Sequence, residues 1–181
     1  GMTVINTCDF NQTKSATLEI CNFDGPVYLR FGRPKVANFT DPSDNFQIGK
    51  GLLLNEGGDV TIVATGHLVW EAIQAAERLH KNDISAEIIN IHTIKPLDED
   101  IILNSVMKTG CLVSAEEHNI YGGLGESVAR LLTSKAPYPQ EFIGTNDTFG
   151  ESGTPIDLMN KYGLNSDSII EAVTRVLKRK A

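Results

Sequence analysis

Short runs of consecutive apolar residues alternate along the chain with longer segments whose apolar residues recur every three or four positions. The short runs are typical of strands buried on both faces of a sheet, and the longer spacing is typical of helices with one core-facing side. Strands are predicted at residues 60–65, 86–91, 111–115 and 141–144, and helices at residues 66–82, 98–108, 154–163 and 169–177. Residues 52–54 precede a glycine turn and predict a hairpin with the strand at 60–65. Strands and helices that alternate in this way pair in parallel, so the pattern predicts an α/β fold.

The first 50 residues depart from this regularity. Residues 3–30 have the pattern of a strand, a helix and a second strand, which is too little material to bury its own apolar faces. Residues 31–50 contain prolines and aspartates and few aliphatic residues, as expected of a connector between domains. We therefore expect residues 3–30 to be the end of another domain that packs poorly by itself, or that packs against another copy of the chain.

Composition and charge exclude several classes of protein. The 181 residues are 41% hydrophobic and 22% charged, which is ordinary for one sizeable domain, and no apolar run approaches the ~20 residues of a membrane span. The net charge of −7, without a basic run before residues 178–180, argues against a nucleic-acid partner. Cys8, Cys21 and Cys111 are odd in number and lack metal-ligand spacing, so we expect a reduced, cytoplasmic protein.

Three polar side chains stand where the strand at residues 111–115 is expected to end. They are Glu116, Glu117 and His118. Successive residues of an extended strand point to opposite faces, so the two glutamates are not expected to form a carboxylate dyad. Two interpretations are open: one acid lies in a crevice with His118 as its partner, or the group is a polar strand end that contacts the next helix.

A glycine-dense turn follows, formed by Gly122, Gly123, Leu124 and Gly125, and it opens an amphipathic segment. Backbone N–H groups at the start of a helix can bind an anion. The sequence is not GxGxxG, however, and Glu126 already places a carboxylate in the first helical turn. Both an anion site and a packing turn are therefore open interpretations.

Two arginines, Arg30 and Arg33, stand at the end of the second strand, where a turn directs a guanidinium to the strand's carboxyl end. Guanidinium groups bind phosphates and carboxylates by paired hydrogen bonds, so contact with an anionic substrate and a surface position on the connector are both open. His67 and His92 also follow strands, but neither has a carboxylate or thiol at ligand spacing. GxSxG and Walker sequences do not occur, so hydrolase and P-loop functions have no support.

Several motifs, in order and along nearly the whole chain, resemble the C-terminal part of transketolase. They are GPVYLRFGRP at 25–34, IGKG at 48–51, DVTIVATG at 59–66, IHTIKPLD at 91–98, AEEHNIYGGLG at 115–125, FGESGTP at 149–155 and YGL at 162–164. The likeness is especially close to the separately encoded C-terminal half found in some bacteria and archaea. It is more distant to 1-deoxyxylulose-5-phosphate synthase, and the motif at 149–155 favours transketolase.

The resemblance implies a three-layer α/β fold, with a mostly parallel sheet of about five strands and helices on both faces. It also implies three regions: residues 2–35 as the truncated end of the pyrimidine-binding domain, 36–45 as a linker, and 46–181 as the transketolase C-terminal domain. The complete enzyme would use thiamine diphosphate and Mg²⁺ to move a two-carbon ketol unit between sugar phosphates. Its partners would be the N-terminal part, with the pyrophosphate and pyrimidine domains, and a second copy in a homodimer.

Within these residues the resemblance implies one substrate contact, because Arg30 matches an arginine that contacts the substrate phosphate. No GDG motif for the diphosphate and metal occurs, so we expect no catalytic, cofactor or metal residue here and no turnover by the chain alone. A regulatory ligand suggested for the crevice of this domain would meet the residues Glu117, His118, Gly122 and Gly123.

Two alternatives remain open beside transketolase. One is the C-terminal part of 1-deoxyxylulose-5-phosphate synthase, which uses the same cofactor in a decarboxylating reaction. The other is a non-catalytic α/β module whose crevice near Gly66, His92 and Glu117 binds a small anionic ligand, with Arg30 incidental.

Overall fold

The computed structural model describes residues 1–180, and its helices and strands follow the predicted order with one additional short strand, Thr93–Lys95. In chain order they are β1 (Thr3–Asn6), α1 (Phe10–Ile20), β2 (Val27–Arg30), β3 (Leu52–Asn55), β4 (Val60–Ala64), α2 (Leu68–His80), β5 (Ala86–Asn90), β6 (Thr93–Lys95), α3 (Glu99–Thr109), β7 (Leu112–Asn119), α4 (Leu124–Lys135), β8 (Gln140–Thr145), α5 (Pro155–Lys161) and α6 (Ser166–Leu177). None of the helices in this described part of the chain is long and apolar enough to cross a membrane.

Five strands form the main sheet in the order β3-β5-β4-β7-β8. The pairs β5–β4, β4–β7 and β7–β8 are parallel, and the edge pair β3–β5 is antiparallel. The expected α/β sheet of about five mostly parallel strands is therefore confirmed.

The predicted hairpin between β3 and β4 is wrong, because β3 pairs with β5. The turn after β3 crosses the start of β5, where Gly58 and Asp59 both donate backbone hydrogen bonds to the Ser85 carbonyl, at 3.2 and 2.9 Å. A side chain on Gly57 would lie 2.2 Å from the Ala86 backbone, so only glycine lets the two segments pass so closely. This crossing carries β3 past β4 to the edge of the sheet.

The helices form a layer on each face of the main sheet. α2 and α6 cover one face, where Leu68 and Val173 share a buried cluster with Ile62. α3 and α4 cover the other, where Ile102 shares a second cluster with Val63. Ile62 and Val63 are neighbours on β4, so the alternation of one central strand supplies both cores. The three-layer arrangement implied by the resemblance is confirmed.

Local capping residues set the helix ends near the C-terminus. The Thr154 side chain accepts a hydrogen bond from Asp157 N, Pro155 is the first helical residue of α5, and Gly163 has a left-handed φ of 67° just beyond its end. These features confirm the predicted start and end of α5. Asn165 caps α6 by accepting a hydrogen bond from Ser168 N at 3.0 Å, so this helix begins earlier than its apolar stripe predicts.

A second, smaller sheet joins the first thirty residues to the rest of the chain. β1 pairs in parallel with β2 and antiparallel with β6, in the order β2-β1-β6. Ile5 and Ala16 are fully buried and cluster with Phe46 from the connector. The expectation of poor packing is therefore wrong for this inner side, because Phe46 packs against it, and the unpredicted strand β6 pairs with the edge of β1. Leu18 and Tyr28 remain more than half exposed.

One carboxylate ties α1 to the connector. Asp9 Oδ1 accepts hydrogen bonds from Gln12 N at 2.9 Å and the Thr40 hydroxyl at 2.7 Å. Asp9 Oδ2 accepts from the backbone N–H groups of Phe39 and Thr40 at 2.9 and 2.7 Å. Asp9 is thus both the N-cap of α1 and the anchor of residues 36–45.

Replacing Asp9 by asparagine is expected to lower the free energy of unfolding by about 2 kcal/mol. An amide can accept through one oxygen only, and its NH₂ group would face backbone N–H donors. Urea unfolding measures the loss, with Asp24→Asn as a control because Asp24 is exposed. Equal stability of the two variants would contradict the anchoring role.

Candidate anion-binding site

β7 is longer than predicted and carries all three polar residues that follow its apolar run. It ends at Asn119, which pairs with Thr145 of β8, so Glu116, Glu117 and His118 lie on the strand itself. Glu116 contacts the start of α4 on one face of the sheet, and Glu117 contacts the residue before α2 on the other. The two carboxylates therefore do not form a dyad, as the alternation predicts.

The buried carboxylate of Glu116 caps α4. Its Oε2 accepts a hydrogen bond from Leu124 N and its Oε1 from Gly125 N, both at 2.7 Å. A side chain on Gly123 would lie 2.1 Å from Oε2, so a glycine is needed for this close approach. Burial raises the pKa of the Glu116 carboxyl, against the two N–H bonds that favour its charge.

The N–H groups of the glycine turn are thus largely occupied by the chain's own carboxylates. Glu126 Oε2 accepts from Gly122 N at 2.8 Å, and Glu116 accepts from Leu124 N and Gly125 N. An external anion would have to displace a carboxylate to bind any of these three N–H groups. The prediction of a ligand at Gly122 and Gly123 stays a prediction, and the packing interpretation accounts for these bonds.

Glu117 connects three separate parts of the chain. Its Oε2 lies 3.2 Å from His67 Nδ1 and 4.0 Å from Arg30 Nη2. The hydrogen bond from His67 holds the pKa of the Glu117 carboxyl below its ordinary value, and the charge of Arg30 acts in the same direction. Because this pKa is lowered by folding, the stabilisation is present above pH 4.5 and is lost as the pH falls through the folded-state pKa.

Arg30 lies at the carboxyl end of β2 and lines a cleft of about 270 Å³ between the two sheets. Glu116, His118, Gly122 and Gly123 line the opposite wall of this cleft. The structure therefore brings Arg30 together with most of the residues that the sequence singled out around the glycine turn. A guanidinium in a cleft of this size can bind the anionic group of a small ligand.

The other candidates lie close by or are buried. Arg33 lines a neighbouring cleft of about 430 Å³ together with His67 and Glu117. His118 Nδ1 lies 2.8 Å from the Asn119 carbonyl and 4.0 Å from Glu116, so it is not the close partner of either acid. His92 is fully buried, and therefore does not line the crevice of the alternative binding module.

Sequence reasoning missed the role of His67. It found no carboxylate at ligand spacing, but the structure places Glu117 within hydrogen-bond distance, fifty positions further along the chain. The available signal was the position of His67 directly after a glycine at a strand end. Parallel strands bring such ends together at one edge of a sheet, although a single sequence does not say which ends are neighbours.

The described residues offer no group of acidic, histidine or cysteine ligands for the metal that accompanies thiamine diphosphate. Within residues 1–180, no three His, Cys, Asp or Glu side chains are grouped as metal ligands would be. Asp59, which follows Gly58, precedes β4 at the opposite end of the sheet from the cleft, and its carboxylate accepts from Ser85 N at 2.7 Å. No residue of the described chain is therefore assigned to the cofactor or the metal.

The main sheet has five mostly parallel strands and lies between two helical layers, which defines a three-layer α/β domain. Arg30 lines a cleft where this domain meets the small sheet. Residues 49–169 match the protein family described as "Transketolase, C-terminal domain". The chain belongs to this family.

Relatives of known name extend the match to nearly the whole chain. The chain is 44% identical over 180 residues to the 6-deoxy-6-sulfo-D-fructose transketolase subunit of Clostridium sp. (strain MSTE9), covering 99% of this chain and 56% of that protein. It is 33% identical to one subunit of the apulose-4-phosphate transketolase of Phocaeicola vulgatus, covering 99% of this chain and 57% of that protein. It is 34% identical to 1-deoxy-D-xylulose-5-phosphate synthase 1 of Geobacter sulfurreducens, covering 99% of this chain and 29% of that enzyme.

A solved structure has the same fold throughout. It is described as a split gene transketolase, inactive β4 tetramer, and it superposes with a TM-score of 0.97 at 39% identity over 99% of this chain and 59% of that one. The chain thus spans little more than half the length of the transketolase subunits that it matches.

Proposed function

We propose that the chain is the C-terminal part of a split transketolase, which transfers a two-carbon ketol unit between sugar phosphates. The observation that carries this proposal is the continuous similarity of 99% of the chain to transketolase subunits at up to 44% identity. In this proposal residues 2–35 end a pyrimidine-binding domain, 36–45 are the linker and 46–181 are the C-terminal domain. An N-terminal partner holds thiamine diphosphate and Mg²⁺, and the pairs assemble as a cytoplasmic homodimer.

Arg30 is proposed to bind the anionic head group of the sugar substrate. Its position at the carboxyl end of β2, in an open cleft, supports this role. Paired N–H donors of a guanidinium fit two oxygens of a phosphate or sulfonate. The remaining chemistry is proposed to reside in the partner, because the described residues contain no group of metal ligands.

The test is a reconstitution of activity. The purified chain alone, with thiamine diphosphate, Mg²⁺, xylulose 5-phosphate and ribose 5-phosphate, is expected to give no ketol transfer. Addition of a partner that supplies the pyrophosphate and pyrimidine domains is expected to restore it. The relatives' names add 6-deoxy-6-sulfo-D-fructose and apulose 4-phosphate to the substrates assayed.

Three results would overturn the proposal. Turnover by the chain alone would contradict the assignment of the cofactor to a partner. Release of CO₂ from a 2-oxo acid donor by the reconstituted enzyme, without ketol transfer, would favour a synthase related to the 1-deoxy-D-xylulose-5-phosphate synthases instead. Failure with every partner would favour the non-catalytic binding module.

A further inference from the structure

The guanidinium of Arg30 stands beside a carboxylate that does not cover it. Glu117 Oε2 lies 4.0 Å from Arg30 Nη2 but only 3.2 Å from His67 Nδ1. Within residues 1–180, the Arg30 side chain donates no hydrogen bond, so its N–H groups remain open to the cleft. The site therefore combines a free cationic donor with a negative charge held close to it.

Of the two acids near Arg30, Glu117 is the one whose charge acts on a ligand. Both oxygens of Glu116 accept 2.7 Å hydrogen bonds from the start of α4, which compensates its charge locally. Glu117 has only the imidazole of His67 as a close partner, and its side chain is 37% exposed. Its field therefore extends towards any anion bound at Arg30.

The position of this carboxylate is fixed from outside the cleft. The His67 ring packs against the backbone of Gly32, where an added side-chain carbon would lie 2.0 Å from His67 Nε2. This contact limits the movement of the ring on that side, and a carboxylate that turned fully onto Arg30 would lose its hydrogen bond to His67. Glu117 therefore does not block the guanidinium of Arg30, and its negative charge would repel an anion bound there.

We infer that Glu117 is a specificity-determining residue of the proposed substrate-anion site, and that it weakens the binding of free inorganic anions at Arg30. This inference rests on the proposed function of Arg30. Repulsion by one charge a few ångströms away lowers the affinity for phosphate by about three- to tenfold. The anionic group alone is then held poorly, and a substrate must supply further contacts through its sugar. Discrimination by a repulsive element of this kind keeps abundant phosphate out of the site.

The test is a titration of the full chain with inorganic phosphate at low salt and neutral pH, followed by the backbone amide signals of Arg30 and Phe31. Glu117→Gln keeps an acceptor for His67 but removes the charge, so it is expected to bind phosphate about three- to tenfold more tightly. The gain should shrink at high salt because the repulsion is screened. Glu77→Gln, an exposed position on α2, removes the same charge and should bind like the unchanged chain.

The Arg30→Gln variant separates the two assignments. Loss of phosphate binding in Arg30→Gln, together with tighter binding in Glu117→Gln, supports both. Loss in Arg30→Gln with equal or weaker binding in Glu117→Gln overturns the role of Glu117 alone. Phosphate binding that does not depend on Arg30, or no binding by any variant, overturns both the anion contact and the inference built on it.

Discussion

Replacement of Glu116 by glutamine should lower the free energy of unfolding by about 3 kcal/mol, because two buried N–H groups lose a shared charged acceptor. The carboxylate accepts from Leu124 and Gly125 through separate oxygens, whereas an amide offers one acceptor and turns its NH₂ group towards the other donor. Glutamine carries no buried charge, which offsets part of the loss since burial already raises the pKa of this carboxyl. The balance still favours the carboxylate.

Urea unfolding with amide exchange at the start of α4 measures this effect. Glu126→Gln is the matched control, because Glu126 accepts from Gly122 in the same turn but is exposed, and water can replace it. We expect that variant to lose less than about 1 kcal/mol. If Glu116→Gln were no less stable than Glu126→Gln, the carboxylate would not hold the turn, and its N–H groups would be free for an external anion.

Protonation of His92 should lower the free energy of unfolding by about 3 kcal/mol between pH 7 and pH 4. Burial lowers the pKa of His92 to about 4, because the imidazole is fully buried against Phe46 with a ring separation of 4.1 Å. Below the ordinary value of 6.5, the unfolded chain binds a proton that the folded chain does not. The stabilisation is therefore complete above pH 6.5 and is lost as the pH falls towards the folded-state pKa.

Comparison of the unchanged chain with two single-residue variants isolates the contribution of His92. His92→Leu removes the titrating ring, so its unfolding free energy should fall less steeply between pH 7 and pH 4 than that of the unchanged chain. His80→Gln, at an exposed position of α2, should keep the full slope. If the unfolding free energies of the unchanged chain and His92→Leu fell in parallel with pH, His92 would accept the proton in the folded protein as readily as in the unfolded chain, and the prediction would be wrong.

Local rules predicted the elements whose signals lie within a few residues. The Thr154-Pro155 start and the Gly163 end of α5 depend on one helical turn, and the apolar run of β4 is five residues long. Predictions that depended on which strands pair with each other were less accurate. The hairpin of β3 failed because the turn crosses β5, and the three-residue strand β6 was too short to be recognised by its pattern.

The sequence likewise predicted some residues of the candidate site and not others. Arg30, Glu117 and His118 were found from their positions at strand ends and from the family motifs, and the structure places them around adjoining clefts. The role of His67 does not follow from its sequence position, because its partner Glu117 is fifty residues away. His92, which has the sequence position of a crevice residue, is buried, because Phe46 from the distant connector packs against its ring.

The sequence by itself determined the α/β class, the order of the elements and the family, because periodicity, caps and motifs are local properties of the chain. Only the tertiary structure decided which strand ends meet. In the tertiary structure β1 pairs with β6, and the Glu116 carboxylate accepts hydrogen bonds at the start of α4. Glu117 lies between His67 and Arg30. Those contacts join residues far apart in the chain, and their free energy depends on packing that no single segment specifies.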